Sequence, residues 1–97
     1  MPRKFLRITE VTRICGVNEK FVLRLEREKV ICPIVRRSEK VYPLDQVDRV
    51  RVARLLIEGM GVNLEGAEVA LHMREQMIAM QRQFSEILHH LARELKK

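Results

Sequence analysis

Two short segments near the start of the chain carry apolar residues at helical spacing, and a glycine separates them. The first segment predicts a helix over residues 10–15, with Thr9 as its N-cap. Its predicted core positions are Val11, Ile14 and Cys15. Gly16 follows at once, and glycine readily adopts the left-handed backbone conformation with which many helices end. We therefore expect a tight turn at residues 16–17.

The second segment predicts a helix over residues 19–28, with Asn18 as its N-cap. The apolar residues of its buried side are Phe21, Val22, Leu25 and Val30. Lys20, Arg24 and Arg27 project from the opposite side. Two short helices joined by a tight turn are typical of a helix-turn-helix.

Beyond the second helix the pattern changes from helical to extended. Pro33 favours an extended entry into the residues that follow. Residues 34–36 and 40–42 predict two short strands joined by residues 37–39. Because a two-stranded hairpin is only marginally stable alone, we expect it to rest on the helices as a wing.

Two more helices are predicted in the C-terminal half. Pro43 suits the start of a third helix over residues 45–60, which Gly59 and Gly61 interrupt. Its predicted apolar positions are Val47, Val50, Leu55 and Ile57. Asn63 is then the expected N-cap of a last helix that continues towards the end of the chain.

The last helix carries apolar residues at alternating steps of three and four. These positions are Ala70, Met73, Met77, Met80, Phe84, Ile87 and Leu91. Such a heptad repeat predicts a coiled-coil seam. A helix on the order of 45 Å long, at 1.5 Å per residue, exceeds what a small head can cover. We therefore expect dimerisation through this seam; the alternative is a helix that folds back onto its own domain.

Composition agrees with a single small helical domain. The chain has 97 residues and a hydrophobic fraction of 46%, of which aromatic residues supply little (4%). Aliphatic cores suit packed helices. The expected fold is mainly α: a winged helix-turn-helix head over residues 1–61, with a small two-stranded β wing, and a dimerisation helix over residues 62–97.

The formal net charge of +6 lies entirely in the N-terminal part of the chain. Residues 1–58 contain 14 Lys and Arg against 8 Asp and Glu, and the other residues contain 5 of each kind. A basic head on a neutral tail is typical of a nucleic-acid-binding module, although a solvated basic surface would show the same asymmetry. The candidate DNA-contacting residues are Arg13, Lys20, Arg24, Arg36, Arg37 and Lys40.

The sequence shows no set of residues with the spacing of a catalytic or metal site. His72, His89 and His90 lack the i, i+4 spacing with which two imidazoles share a metal on a helix. Cys15 and Cys32 have no metal-type spacing and are interpreted as small apolar side chains in a reducing compartment. We expect neither enzyme activity nor a cofactor or metal.

The expected location is the cytoplasm. No segment is long and apolar enough to span a membrane. Residues 1–4 are basic, but the apolar stretch of a secretory signal does not follow them.

Six short segments of the chain together form a known order of helix, turn, helix, wing and helix. They are ITEV at residues 8–11, GVN at 16–18, LERE at 25–28, VICP at 30–33, KVY at 40–42 and VDRV at 47–50. These segments resemble the MerR family of winged helix-turn-helix regulators. The resemblance covers nearly the whole chain and implies a DNA-binding regulator of transcription.

A narrower resemblance lies at the start of the last helix. The sequences GVNLEG at residues 61–66 and VAL at 69–71 resemble the branch of heat-shock repressors and the chaperone modulator CbpM, which has a short C-terminal helix in place of a large effector domain. This resemblance implies one of two functions. The first is a dimeric DNA-binding regulator of stress or chaperone genes; the second is a modulator that binds the J-domain of a DnaJ-like co-chaperone without using DNA.

The second helix departs from the family pattern in residues that bear on this choice. Leu23 stands where the resemblance implies a phosphate-binding arginine, and Glu19 places an acid at the helix N-terminus, where it repels phosphate. The wing also lacks glycine. These departures favour the J-domain, whereas the positive head favours DNA, because the resemblance implies a J-domain with a basic face. DNA is the favoured partner and the J-domain the alternative.

Overall fold

Eight elements make up the structure, a computed structural model that describes residues 4–96. Lys97 lies outside the described residues, as do residues 1–3, on which the expectation about a secretory signal partly rests. In chain order the elements are β1 (Phe5–Leu6), α1 (Ile8–Cys15), α2 (Glu19–Arg27), β2 (Ile34–Arg36), β3 (Glu39–Pro43), α3 (Leu44–Arg54), a π-helical turn (Leu55–Gly59) and α4 (Leu64–Leu95).

The turn between α1 and α2 forms as the sequence predicts. Gly16 ends α1 with a left-handed φ of 68°. A Cβ at this position would also lie 2.7 Å from Nη1 of Arg54, which donates to the backbone carbonyl of Cys15 at 3.0 Å. Asn18 Oδ1 accepts from the backbone N–H of Phe21 at 2.9 Å and so caps α2. Glycine is therefore favoured here by its backbone conformation, and a Cβ would displace the Arg54 guanidinium that holds the end of α1.

The start of α1 differs from the expectation. The helix begins at Ile8, and Arg7 rather than Thr9 is its N-cap residue. Glu10 accounts for the shift, because its Oε1 accepts from the backbone N–H of Arg7 at 3.1 Å. That reciprocal half of a capping box holds the chain at Arg7, so Thr9 lies inside the helix.

The sheet has three antiparallel strands in the order β1-β3-β2. The predicted hairpin is confirmed, but its turn contains two residues instead of three, because Arg36 pairs with Glu39. The third strand, β1, is not predicted by the sequence pattern. It pairs Leu6 with Tyr42, at the far end of β3. The sheet thereby joins the start of the chain to the wing.

The core lies where α1, α2, α3 and β3 meet, and two apolar residues predicted for it lie outside. Ile14 is 60% exposed, because Val11 and Cys15 already fill the narrow buried face of the short α1. Leu55 is 56% exposed, since the π-helical turn that it begins has a wider repeat than the α-helix assumed in the prediction. The buried members of the core are Leu6, Val11, Cys15, Val22, Leu25, Val30, Ile31, Tyr42, Val47, Val50, Ala53 and Leu71.

The two cysteines lie in different environments. Cys15 is buried and its Sγ contacts the backbone carbonyl of Val47 at 3.7 Å. Burial raises the pKa of the Cys15 thiol, which keeps it protonated and unreactive at neutral pH. Cys32, which the sequence analysis interprets as a small apolar side chain, is exposed. Its backbone N–H is held instead by Oε1 of Gln46 at 2.8 Å.

The third helix is shorter than predicted, and α4 begins as predicted. α3 ends at Arg54, and the chain continues through the π-helical turn to Gly61, which has a left-handed φ of 70°. Asn63 Oδ1 then accepts from the backbone N–H of Gly66 at 2.7 Å and caps α4.

α4 belongs to the head only over its first turns. Ala67 and Leu71 are fully buried against the head, whereas residues 79–96 are exposed throughout. The described chain is accordingly elongated, measuring 56 × 35 × 19 Å. The alternative of a helix folded back onto its own domain is therefore excluded for the described residues.

Ion pairs fix the angle at which α4 leaves the head. Asp48 of α3 accepts from Arg51 at 2.8 Å and from Arg74 of α4 at 2.9 Å. Arg49 pairs with Glu75 and also donates from Nε to the backbone carbonyl of Val30 at 2.7 Å. Hydrogen bonds from Arg51 first, and then from Arg74, hold the pKa of Asp48 below its ordinary value of 3.8.

We expect Asp48→Asn to lower the free energy of unfolding by about 0.5–1 kcal/mol at pH 7, the range for partly exposed pairs. A depressed carboxyl pKa stabilises the fold above the unfolded pKa, and the effect is lost as pH falls through the folded value. Urea unfolding at fixed protein concentration should therefore show the full difference at pH 7 and a progressively smaller one as the pH falls below the ordinary carboxyl pKa of 3.8. Asp45→Asn is the matched control. A difference that stayed constant with pH would contradict this assignment.

Candidate nucleic-acid interface

The exposed side of α2 carries the first group of predicted DNA contacts. Val22 and Leu25 are fully buried, and this fixes the rotation of the helix so that Lys20 and Arg24 face outward. Both side chains line one shallow groove together with residues 16–18 of the turn. The helix-turn-helix thus presents two cations beside its turn, where recognition helices meet DNA.

The hairpin carries the second group. Arg36 and Arg37 line another groove with Phe5 and Arg7. The guanidinium carbon of Arg36 lies 4.4 Å above the centroid of the Phe5 ring, a distance at which the ring attracts the cation. β1 therefore orients an arginine of the wing, and Arg7 is itself paired with Glu39 at 3.1 Å.

The tip of the wing has a strained backbone. Arg37 and Ser38 have φ values of 51° and 63°. A two-residue hairpin turn needs positive φ at both central residues, and glycine or asparagine normally supply it. Residues with other side chains are disfavoured in this region by about 1 kcal/mol or more. The turn nevertheless leaves Arg37 exposed to solvent.

Relief of this strain gives a testable prediction. Ser38→Gly should raise the free energy of unfolding by about 0.5–1 kcal/mol, because glycine accepts positive φ without steric cost. Thermal unfolding of the purified protein measures the change. Gly59→Ala is the control, because an added Cβ at this position has nothing within 4 Å. It shows whether a change in the number of glycines alters the free energy of unfolding when no strained turn is involved. An unchanged or lowered stability of Ser38→Gly would show that the turn is not strained.

Most of the predicted DNA contacts differ from the other arginines of the head in their pairing. Within residues 4–96, five of the six candidates have no ion pair to a carboxylate: Arg13, Lys20, Arg24, Arg36 and Arg37. Lys40 is the exception: its Nζ bonds Glu26 of α2 at 2.9 Å, and this bond raises the pKa of Lys40. By contrast Arg49, Arg51 and Arg54 are all paired. The structure therefore separates the ion-paired arginines of α3 from candidate cations that form no ion pair.

The structure brings together only part of the predicted set. Lys20 and Arg24 share one groove and Arg36 and Arg37 another, while Arg13 is exposed on α1 and lines neither groove. Lys40 braces the wing against α2.

Two residues at this surface are absent from the predicted DNA contacts. Helical spacing correctly predicts that Arg27 faces outward beside Lys20 and Arg24, and its exposure confirms this, but Arg27 is not among the candidate contacts. Phe5 has no such signal, because its place beside Arg36 depends on pairing between β1 and β3.

The predicted dimerisation residues form one apolar stripe along α4. Ala70 is half-buried next to the head. The other members are between 51% and 67% exposed: Met73, Met77, Met80, Phe84, Ile87 and Leu91. Met80, Phe84 and Ile87 line an open apolar groove on the helix surface. The stripe is a large apolar surface of the kind that marks an interaction site.

Among residues 4–96, no three His, Cys, Asp or Glu side chains converge closely enough to hold a metal ion. In the same part of the chain, no helix combines the length and apolar composition needed to cross a bilayer.

Comparison with known proteins identifies the family of the chain. A family model described as MerR HTH family regulatory protein matches residues 6–89. The match spans every element from the end of β1 to well along α4. Neither the curated proteins nor the solved structures give a significant match to the chain. Such regulators are typically non-enzymatic, and the family suggests a DNA-binding regulator of transcription. The chain belongs to the MerR family of helix-turn-helix regulatory proteins.

Proposed function

We propose that the chain is a dimeric DNA-binding transcription regulator of stress or chaperone genes. The proposal rests on which cations of the head form ion pairs with carboxylates and which do not. Lys20 and Arg24 of the α2 groove and Arg36 and Arg37 of the wing groove have no carboxylate partner within residues 4–96, while Arg7 and the arginines of α3 are paired. Unpaired cations on a helix and on a wing match the two places where this fold meets phosphate.

The apolar stripe of α4 supports the dimer. A second copy offers the same stripe, so a symmetric pair would cover both at once. Two heads on one pair of helices would bind two half-sites, and we expect an operator with inverted symmetry. The choice of stress or chaperone genes rests on the resemblance of residues 61–71 to the heat-shock branch.

The decisive experiment is selection of bound duplexes from a random pool, followed by fluorescence anisotropy on duplexes from around the protein's own gene. The expected result is an enriched inverted repeat that binds more tightly than unrelated DNA. Absence of both enrichment and binding at low salt would contradict the proposal.

A second candidate function is binding to the J-domain of a DnaJ-like co-chaperone. Leu23 favours it, because this apolar side chain is 41% exposed on α2, and Glu19 lies exposed at the N-terminus of the same helix. Calorimetry with a J-domain tests it. One J-domain per protomer is expected, and absence of both heat and co-elution would exclude it.

A further inference from the structure

One side of α2 forms a continuous exposed stripe with an unusual member. Lys20, Leu23, Arg24 and Arg27 follow one another at i, i+3, i+4 and i+7, so they lie on the same side of the helix. All four are exposed. Within residues 4–96 none of the three cations has an ion pair.

Leu23 is the apolar residue within this cationic stripe. It is 41% exposed, and it is absent from the residues that form or flank the core. A leucine so placed contributes little to the fold, whereas an arginine or lysine would extend the stripe. Its position, one residue before Arg24 and three after Lys20, puts an apolar contact between two cations.

The major groove of DNA offers an apolar group to such a contact. Thymine carries a C5-methyl group there, and the other three bases do not. The cations on either side of Leu23 can engage phosphates or guanine, and these contacts hold the helix in the groove. Leucine itself provides no donor or acceptor, so it cannot contact phosphate.

We infer that Leu23 reads the C5-methyl group of a thymine in each half-site, and that it is a specificity-determining residue. The inference rests on the proposed DNA-binding function. A leucine at this position would contact a base. A phosphate-binding arginine at the same position would add affinity without sequence preference. Each half-site should therefore contain a thymine whose methyl group matters to the protein.

The test uses the full-length protein and the duplex obtained by selection. Each thymine is replaced in turn by deoxyuridine, which removes only the methyl group and preserves base pairing. Burying one methyl group is worth ~0.8 kcal/mol, or about fourfold in affinity. The wild-type protein should lose about fourfold per half-site at one symmetric pair of thymines. Leu23→Ala should bind more weakly and be indifferent to that replacement.

Leu55→Ala is the matched control, because Leu55 is an exposed leucine of the π-helical turn. It should retain the full sensitivity to deoxyuridine. Circular dichroism checks that Leu23→Ala stays folded, as expected when alanine replaces an exposed helical residue. If the protein binds its selected duplex and no deoxyuridine affects wild type more than Leu23→Ala, the inference is wrong and the proposed function stands. If no duplex is bound, both are wrong.

Discussion

Replacing Met80 and Ile87 together by glutamate is expected to convert the protein into a monomer with the mass of one chain, 11.5 kDa. Both side chains lie on the apolar stripe of α4, 67% and 56% exposed in the single chain. In a dimer the two substitutions would place four carboxylates within one seam. Burial of unpaired charge is strongly unfavourable, so the dissociation constant should rise by at least about 100-fold, ~2.8 kcal/mol.

Sedimentation equilibrium over a range of concentrations measures this change. His89→Glu with Ala92→Glu is the matched control, because it adds the same two charges to α4 at exposed positions outside the stripe and its groove. The control should sediment like the wild type. An unchanged mass for the Met80 and Ile87 variant would refute the seam. Since head and seam lie apart, circular dichroism of the variant should still report a helical head.

The sequence predictions are most accurate for features that depend on residues close together in the chain. Asn18 and Asn63 were correctly predicted as caps, because a cap depends on a side chain and a backbone N–H three residues apart. The turn at Gly16 was also predicted correctly, because the end of a helix at a left-handed glycine depends on that residue alone. The start of α1 was wrong because two local signals compete, and the carboxylate of Glu10 prevails over the hydroxyl of Thr9.

Long-range contacts account for what the sequence could not predict. β1 has only two residues, too few for a periodic pattern, and its partner Tyr42 lies far along the chain. The same holds for the pairs that brace α4, such as Asp48 with Arg74, which are 26 residues apart. The sequence shows how many arginines the head has, but these distant pairings decide which arginines hold α4 against the head.

The sequence predicts which cations of the candidate site are exposed, but it does not predict which neighbouring side chains they contact. Helical spacing correctly put Lys20 and Arg24 on the outer side of α2. The support of Arg36 by Phe5 emerges only from the pairing of β1 with β3, and the bond between Lys40 and Glu26 emerges only from the contact of β3 with α2. Lys40 was proposed as a DNA contact, and its bond to Glu26 gives it a structural role that the other candidates lack.

The wing provides the largest effect expected on DNA binding. Arg36→Ala with Arg37→Ala should weaken binding to the selected duplex by about 100-fold near physiological salt, since a dimer would lose four phosphate contacts. The salt dependence should change as well. Each contact contributes about 0.9 to the slope of log K against log salt, so the slope should become shallower by about 3.5. Anisotropy titrations at several salt concentrations measure both quantities.

The control must separate lost contacts from lost charge. Arg82→Ala with Arg93→Ala removes the same two charges from the exposed distal part of α4 and should leave both affinity and slope nearly unchanged. Because Arg36 lies over the Phe5 ring, thermal unfolding of the wing variant must confirm that the sheet is intact. Equal losses in the wing and α4 variants would mean that net charge alone attracts DNA, and an unchanged slope in the wing variant would remove the wing from the interface.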